Sequence, residues 1–293
     1  MVADSLNPVG VRLSTLEVVL PRFLLAEANT HRMLSRNAES GRAKSIQRVL
    51  AEPVFTPIFT SENRTMKAGD PLEAPGELER FWATVAEFGN EWAKRLALAN
   101  VHHSITNRLL EPFRTVKWLV SFTESANFLA LRFSPEAEPH FQAIAALIIL
   151  ALREHTPVQA NEGDWHIPYL RESELSQSLD KVLIPVSVAR CARVSYGADL
   201  TKGTVDKDLE LYDRLLANRH MSPFEHVAQA TSDDLLVLAD GNFRGWSQYR
   251  KAIDGENKAG AFDTASVSEQ VLEAVIPGWR IDHADHSADN QQA

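Results

Sequence analysis

The chain has 293 residues, 44% hydrophobic and 24% charged, with a formal net charge of −9. Such a composition is that of a globular chain long enough for one large domain or two small ones, and its acidic balance argues against binding polymeric nucleic acid, which needs a basic face. The one cysteine, Cys191, excludes an intrachain disulfide and a cysteine-built zinc site. Residues 1–10 carry no signal-peptide core, and the longest apolar run, 144–152, is about half a bilayer span. The expectation is a cytoplasmic protein, of a bacterial cell or a phage-infected host, with no membrane partner.

Residues 11–20 are rich in β-branched side chains and alternate loosely, which predicts a strand. Pro21 then opens a helix to about Leu34, since proline is favoured in a first helical turn. Residues 35–45 are polar and read as a loop around a ligand; 52–75, rich in Pro, Thr and Gly, read as a longer loop. Leu78, Phe81, Trp82, Val85, Phe88, Trp92 and Leu96 keep helical spacing and predict an amphipathic helix. Further helices are expected over 104–113, 124–133 and 138–154, the last deeply buried. One more, broken near Pro185, is expected within 172–196, and another over 206–219. Strand character returns around 235–238. The tail from about Ala265 has few large apolar groups, and its end is expected to be disordered. Residues 1–260 thus read as one domain and 261–293 as a tail.

Three segments carry candidate chemistry. The first is Thr30, His31, Arg32, Ser35, Asn37, Ser40, Gly41 and Arg42. Within 31–48, Arg32, Arg36, Arg42, Lys44 and Arg48 face Glu39 alone, five cations against one anion, or a local +4 in an acidic chain. Hydroxyls, loop amides and arginine forks together suit a phosphate; a solvated helix end is the plain alternative. The second segment runs His220, Met221, Ser222, Pro223, Phe224, Glu225, His226 and follows a helix. Alone it reads as a capping turn, and its histidines lack a third ligand at metal spacing, so no metal is expected. The third, Asn127-Phe128-Leu129-Ala130-Leu131-Arg132, ends in an arginine that suits an ion pair or a bidentate hydrogen bond to a base edge. Arg108 shares that ambiguity. Cys191, between Arg190 and Ala192, is read as a buried structural residue rather than a nucleophile.

Together these pieces resemble the flavin-dependent thymidylate synthases, the ThyX family. Its signature, Arg-His-Arg-x-x-Ser-x-Asn-Glu-x-Ser-x-Arg-Tyr, is similar to the stretch from Thr30 to Ala43. Ala192-Arg193-Val194-Ser195-Tyr196 and His220 to His226 resemble its Ala-Arg-x-Ser-aromatic segment and its His-x-Ser-Pro-Phe-Glu-His turn. Asn107-Arg108 to Pro112 and Asn127 to Arg132 resemble two later family segments. Here the turn follows the signature and the helix, whereas the family places it first. The order therefore looks like a circular permutation, which folds tolerate where termini lie close at the surface.

The resemblance implies an α+β fold, an antiparallel sheet packed with helices in permuted order, and a homotetramer with shared active sites. It implies FAD, methylenetetrahydrofolate as co-substrate, NADPH as a reductant, and a deoxypyrimidine monophosphate acceptor. By position, Ser40, Gly41 and Arg42 would hold the nucleotide phosphate, with Arg108 from another subunit. Arg132 would meet the pyrimidine carbonyl edge as the catalytic residue. His31, Arg32, Ser35, Asn37, Asn127, His220, Ser222 and Glu225 would line the flavin. The departures are Thr30 for arginine, Ala38 for glutamate, Ala43 for tyrosine, and Glu27 for a glutamine. Glu27 could accept from a cytosine amine, and Arg244 or Arg250 could replace the missing arginine. Methylation of dUMP is the parent reaction. Hydroxymethylation, use of dCMP, and a non-catalytic nucleotide-binding protein stand beside it.

Overall fold

The computed structural model describes residues 1–63, 67–197, 203–237 and 240–256. The chain divides into two units, 1–254 and 255–293; the first carries everything below. The expected disorder of the tail's end lies outside the described residues.

The fold is mixed α and β. A five-stranded sheet contains β1 (Ala3–Leu6), β2 (Arg12–Pro21), β3 (Ser35–Ala38), β4 (Thr115–Phe122) and β5 (Val158–Gln159), in the order β3-β4-β2-β1-β5. All its pairings are antiparallel except β1 with β5. A second sheet orders β6 (Trp165–His166), β7 (Ala228–Ala230) and β8 (Trp246–Gln248). The helices are α1 (Leu25–Ala28), α2 (Ile46–Leu50), α3 (Gly76–Leu98), α4 (His103–Thr106), α5 (Ala126–Arg132), α6 (Pro139–Glu154), α7 (Ile184–Val194) and α8 (Val205–Ala217).

The two-residue period of a strand sorts β2 and β4 into two faces. Leu16 and Leu20, with Val116, Trp118, Val120 and Phe122, pack on Phe128 of α5 and on Phe141, Ile144 and Ile148 of α6. On the opposite face, Leu119 packs on Cys191 and Val194 of α7. The register puts Thr15 across from Ser121. α7 and α8 form a further core with Met221, Phe224 and Val227.

Several expectations change. The helix from Pro21 to about Leu34 is only a 3-10 turn over Arg22–Leu24 followed by α1, because the chain turns at residues 31–34 to enter β3. The loop expected over 35–45 holds an edge strand and a 3-10 turn over Gly41–Ala43; its polar residues hide the alternation of burial along β3. Residues 104–113 are α4's end and a 3-10 helix rather than one α-helix. The break expected near Pro185 is a change of helix type: a π-helical stretch over Leu179–Leu183 passes directly into α7, with Pro185 in the first α turn. α6 buries one stripe only, with Leu147 and Leu150 exposed. Residues 235–237 form no strand, and 238 lies outside the described residues. β4, unassigned from sequence, is the sheet's second strand.

α7 is fastened to α8 by a buried ion network. Arg190 donates to both oxygens of Glu174 at 2.6 and 2.7 Å and to Asp208 at 2.9 Å, and Arg193 donates to Asp208 at 2.6 Å. Those hydrogen bonds from Arg190 are the main cause holding the Glu174 carboxyl down at about 2. Arg190→Ala would strand the buried Glu174 carboxylate and leave Asp208 with Arg193 alone, so it is expected to lower stability by about 3–5 kcal/mol, read from the urea unfolding midpoint.

Candidate active site

Two of the three candidate segments meet, together with the stretch from Ala192 to Tyr196, at one cleft of about 550 Å³. It is lined by Asn37, Ser40 and Arg42, by Ser195 and Tyr196 just past α7, and by His220 and Ser222, with Ala192, Leu215, Met221 and Pro223 as the apolar wall. Residues far apart in sequence are bonded there. Ser222 Oγ donates to Asn37 Oδ1 across 185 positions, and the Ser40 N–H donates to the Ser195 carbonyl at 2.8 Å. Asn37 is buried, and its Nδ2 has no hydrogen-bond partner among the described residues. An amide donor left thus at a cleft wall is costly unless a ligand accepts from it.

Most of the basic island has structural work. Lys44 is buried against Glu39 at 2.7 Å and also pairs with Glu52. Arg48 donates to the Tyr196 carbonyl at 3.1 Å and to the Gly197 carbonyl. Arg36 donates to the His31 carbonyl and closes its turn. Arg42 is the island's exposed cation on the cleft, and His103 holds its backbone by donating to the carbonyl at 2.8 Å. Gly197 is required here: its φ is +56°, and a Cβ would run into the Glu39 carboxylate. Gly41 does not line the cleft; Arg22 Nη2 lies 3.1 Å from where its Cβ would be, and Asn107 Nδ2 donates to its carbonyl at 2.7 Å.

A second group forms where α1 meets α5. Arg132 pairs with Glu27, donates from Nε to His31 Nε2 at 2.8 Å, and lies 4.7 Å over the Phe141 ring. Burial, then the charges of Arg132 and Arg36, hold the His31 pKa below its ordinary value. His31 is therefore neutral at pH 7 and able to accept from Arg132. Arg132 Nη2 has no hydrogen-bond partner among the described residues. This trio is not among the described lining of the cleft.

The remaining candidates lie elsewhere. Ser35 is buried, donating to Asn242 at 3.0 Å and accepting from Gln248 at 2.9 Å, so it braces β3 against β8. Glu225 pairs with Arg250, and its carbonyl accepts from Gln248 at 2.8 Å. Arg244 pairs with Glu124 at 2.6 Å. Arg32 and Asn127 are exposed. Arg108 is exposed and pairs with Glu111 of its own chain at 3.0 Å. Cys191 is buried and its thiol is pushed up by desolvation. Among the described residues no group of three or more metal-ligating side chains occurs, and no helix is long and apolar enough to cross a membrane. Sequence reasoning missed a smaller lobe of about 350 Å³, lined by Arg193, Arg214 and Asn218 and sharing Tyr196, Leu215 and His220 with the cleft. Arg214, one turn before the end of an otherwise ordinary amphipathic helix, offered no motif to find it by.

No family model matches the chain, and no curated protein matches it. Among solved structures it is similar to the UMP/dUMP methylase PolB from Streptomyces cacaoi bound with 5-Br dUMP, at 17% identity and a TM-score of 0.41, covering 49% of this chain and 66% of that one. It is similar to the same methylase bound with 5-Br UMP at 19% identity and a TM-score of 0.42, covering 49% and 69%. At these values the likeness identifies neither a family nor a substrate.

Proposed function

We propose that the protein is a circularly permuted relative of the flavin-dependent thymidylate synthases, transferring a one-carbon unit from methylenetetrahydrofolate to C5 of a deoxypyrimidine monophosphate. The observation that carries this reading is the meeting of the signature residues Asn37, Ser40 and Arg42 with Ser195, His220 and Ser222 at one cleft. Those are the segments whose resemblance to the family is out of order in the chain, and folding rejoins them. Nothing in a generic capping turn requires Ser222 to bond Asn37.

The donor set suits the ligands. Ser40 and Arg42 would take the phosphate, the hydroxyl and guanidinium giving charge-assisted hydrogen bonds. Asn37, with its unpartnered Nδ2, and His220 and Ser222 would hold FAD against the apolar wall of Ala192 and Met221. FAD, when bound, supplies the redox chemistry of the transfer. Arg132, steadied by Glu27 and His31, would offer Nη2 to a pyrimidine carbonyl and stabilise negative charge developing on the base. Active sites shared within a homotetramer belong to the same proposal, with Arg108 reaching a neighbouring copy.

The test is product mass after incubation with FAD, a reductant, methylenetetrahydrofolate and a mixture of dUMP and dCMP. A nucleotide gaining a methyl or hydroxymethyl group is expected. Protein that stays colourless with added FAD and yields no product would sink the reading in favour of a non-catalytic nucleotide binder.

The ion pair between Glu27 and Arg132 favours a second reading for the base. A base edge held by Arg132 would lie beside a carboxylate, and a carboxylate accepts from the exocyclic amine that cytosine has and uracil lacks. Glu27→Gln is expected to shift preference from dCMP toward dUMP by about tenfold, the discrimination of one hydrogen bond to a charged group. An unchanged ratio of kcat/KM values removes Glu27 from base selection.

A further inference from the structure

The turn that carries Arg42 is held from behind, carbonyl by carbonyl. Arg22 Nη1 donates to the Glu39 carbonyl at 3.1 Å. Asn107 Nδ2 donates to the Gly41 carbonyl at 2.7 Å and to the Lys44 carbonyl at 3.0 Å. His103 Nε2 donates to the carbonyl of Arg42 itself at 2.8 Å. The Ser40 carbonyl accepts from the Ala43 N–H at 3.0 Å, inside the turn. Ser40, Arg42 and Ala43 line the cleft, whereas Gly41, Lys44 and Asn107 line a separate cavity. The turn is a thin wall between the two, and its outside donors are not among the described lining of the cleft.

For an anion in the cleft this matters twice. A free carbonyl oxygen repels an anion, and here each carbonyl from Glu39 to Arg42, and that of Lys44, already accepts a hydrogen bond. Arg42 is exposed, so where its guanidinium reaches depends on how firmly its backbone stands, and a backbone fixed beforehand loses less freedom on binding. Asn107 is the centre of the brace. It is buried, and its one amide nitrogen holds the chain on both sides of Arg42. The amide cannot turn over, since a flip would set Oδ1 against two carbonyls. Its Oδ1 has no partner among the described residues, so the fold tolerates a buried unpaired acceptor, which is costly, where Nδ2 makes both bonds.

We propose that Asn107, with His103, is a positioning residue for the phosphate of the cleft's ligand. Neither side chain touches the ligand. They fix the turn so that Ser40 and Arg42 meet a phosphomonoester without rearrangement, and they keep carbonyl oxygens engaged on the far side. This inference rests on the reading of Ser40 and Arg42 as the phosphate site.

Calorimetric titration of the full chain with dUMP, dCMP and the two matching nucleosides tests it, with a thermal melt to show folding. The wild type is expected to bind a monophosphate more tightly than its nucleoside. Asn107→Ala is expected to weaken that monophosphate by about tenfold or more, as for loss of one to two hydrogen bonds, and to leave the nucleoside unchanged. His103→Ala should lose less, and His103→Gln, whose amide nitrogen donates where Nε2 does, should recover the loss. A folded Asn107→Ala protein that binds like wild type, or that loses nucleoside equally, overturns the inference. Should Asn107→Ala not fold, wild-type affinity in His103→Ala overturns it, as does a His103→Gln protein no better than alanine. Arg42→Ala separates the inference from the reading beneath it. If Arg42→Ala loses the monophosphate while Asn107→Ala keeps it, the brace alone falls. If Arg42→Ala keeps wild-type affinity, or the wild type binds no monophosphate above its nucleoside, the phosphate site and the brace fall together.

Discussion

Arg132→Ala is expected to stay folded and to lose about 10²–10³ in turnover, the usual cost of removing one preorganised donor from a developing anion. The two halves of that expectation have separate grounds. Folding survives because Arg132 sits at the rim of the α5 core: what it leaves behind is Glu27, accessible enough to be hydrated, and a neutral His31. Turnover falls because the guanidinium is the one group of the trio that combines fixed charge with a donor, Nη2, not bonded among the described residues. Phe141 below the fork and His31 at Nε set its plane. Arg132→Lys separates charge from geometry, since an ammonium keeps the charge and loses the fork; its turnover should fall between wild type and alanine. The measurement is single-turnover product formation alongside a thermal melt. Near-native turnover in a folded Arg132→Ala protein would end the catalytic role.

How far the sequence shows this arrangement depends on the range over which each feature is decided. The helical spacing of Leu78 to Trp92 is local, and α3 runs where that spacing predicts. Which members of that stripe reach the core is not local: Trp82 turns inward to Phe55 and Phe113 and Ala93 packs on Leu110, while Phe81 and Phe88 stay exposed. β3 is short and polar, so its pairing with β4 shows only when Trp118 and Leu119 are across from it. β4 itself alternates Trp118 and Val120 against Lys117 and Ser121, but one face of it meets polar partners, which breaks the apolar pattern a strand is read by. The charge of the 31–48 island was visible, whereas its neutralisation was not. Lys44 is matched by Glu52, and Arg48 is spent on carbonyls 148 and 149 positions away. The meeting of Asn37 with Ser222 could be expected only from family motifs read in cyclic order, since no spacing rule joins residues 185 apart.

A second large effect is expected on acidification. Between the two sheets a hydrogen-bonded line runs from half-buried Ser5 Oγ to buried His166 Nδ1 at 2.9 Å, from His166 Nε2 to Thr15 Oγ1 at 2.8 Å, on to Ser121 Oγ at 2.6 Å and to His226 Nδ1 at 2.8 Å. His226 Nε2 has no partner among the described residues. Burial lowers both imidazoles from 6.5 to about 3; Asp4 slightly opposes this at His166, and His166 reinforces it at His226. Above pH 6.5 both histidines are neutral in the folded and unfolded chain, and their linkage to stability is zero. Below it the unfolded chain binds two protons that the native state refuses until about pH 3, so stability falls across that window by several kcal/mol. The carboxylates act later. Glu174 starts from 4.5 and Asp4 from 3.8, both lowered in the fold, so their contributions fade only below those values. Loss of stability between pH 6.5 and 4.5 therefore reports histidines rather than carboxylates, with His31, also lowered by burial, adding to the two buried imidazoles. Urea unfolding across that range should show a falling midpoint, and His226→Asn, neutral throughout, should make the fall shallower. Because His226 ends the turn that carries Ser222, the same protonation should also loosen the cleft wall before global unfolding. A midpoint that stays flat from pH 6.5 to 4.5, or a wild-type slope in His226→Asn, would show that these imidazoles protonate within the fold without cost.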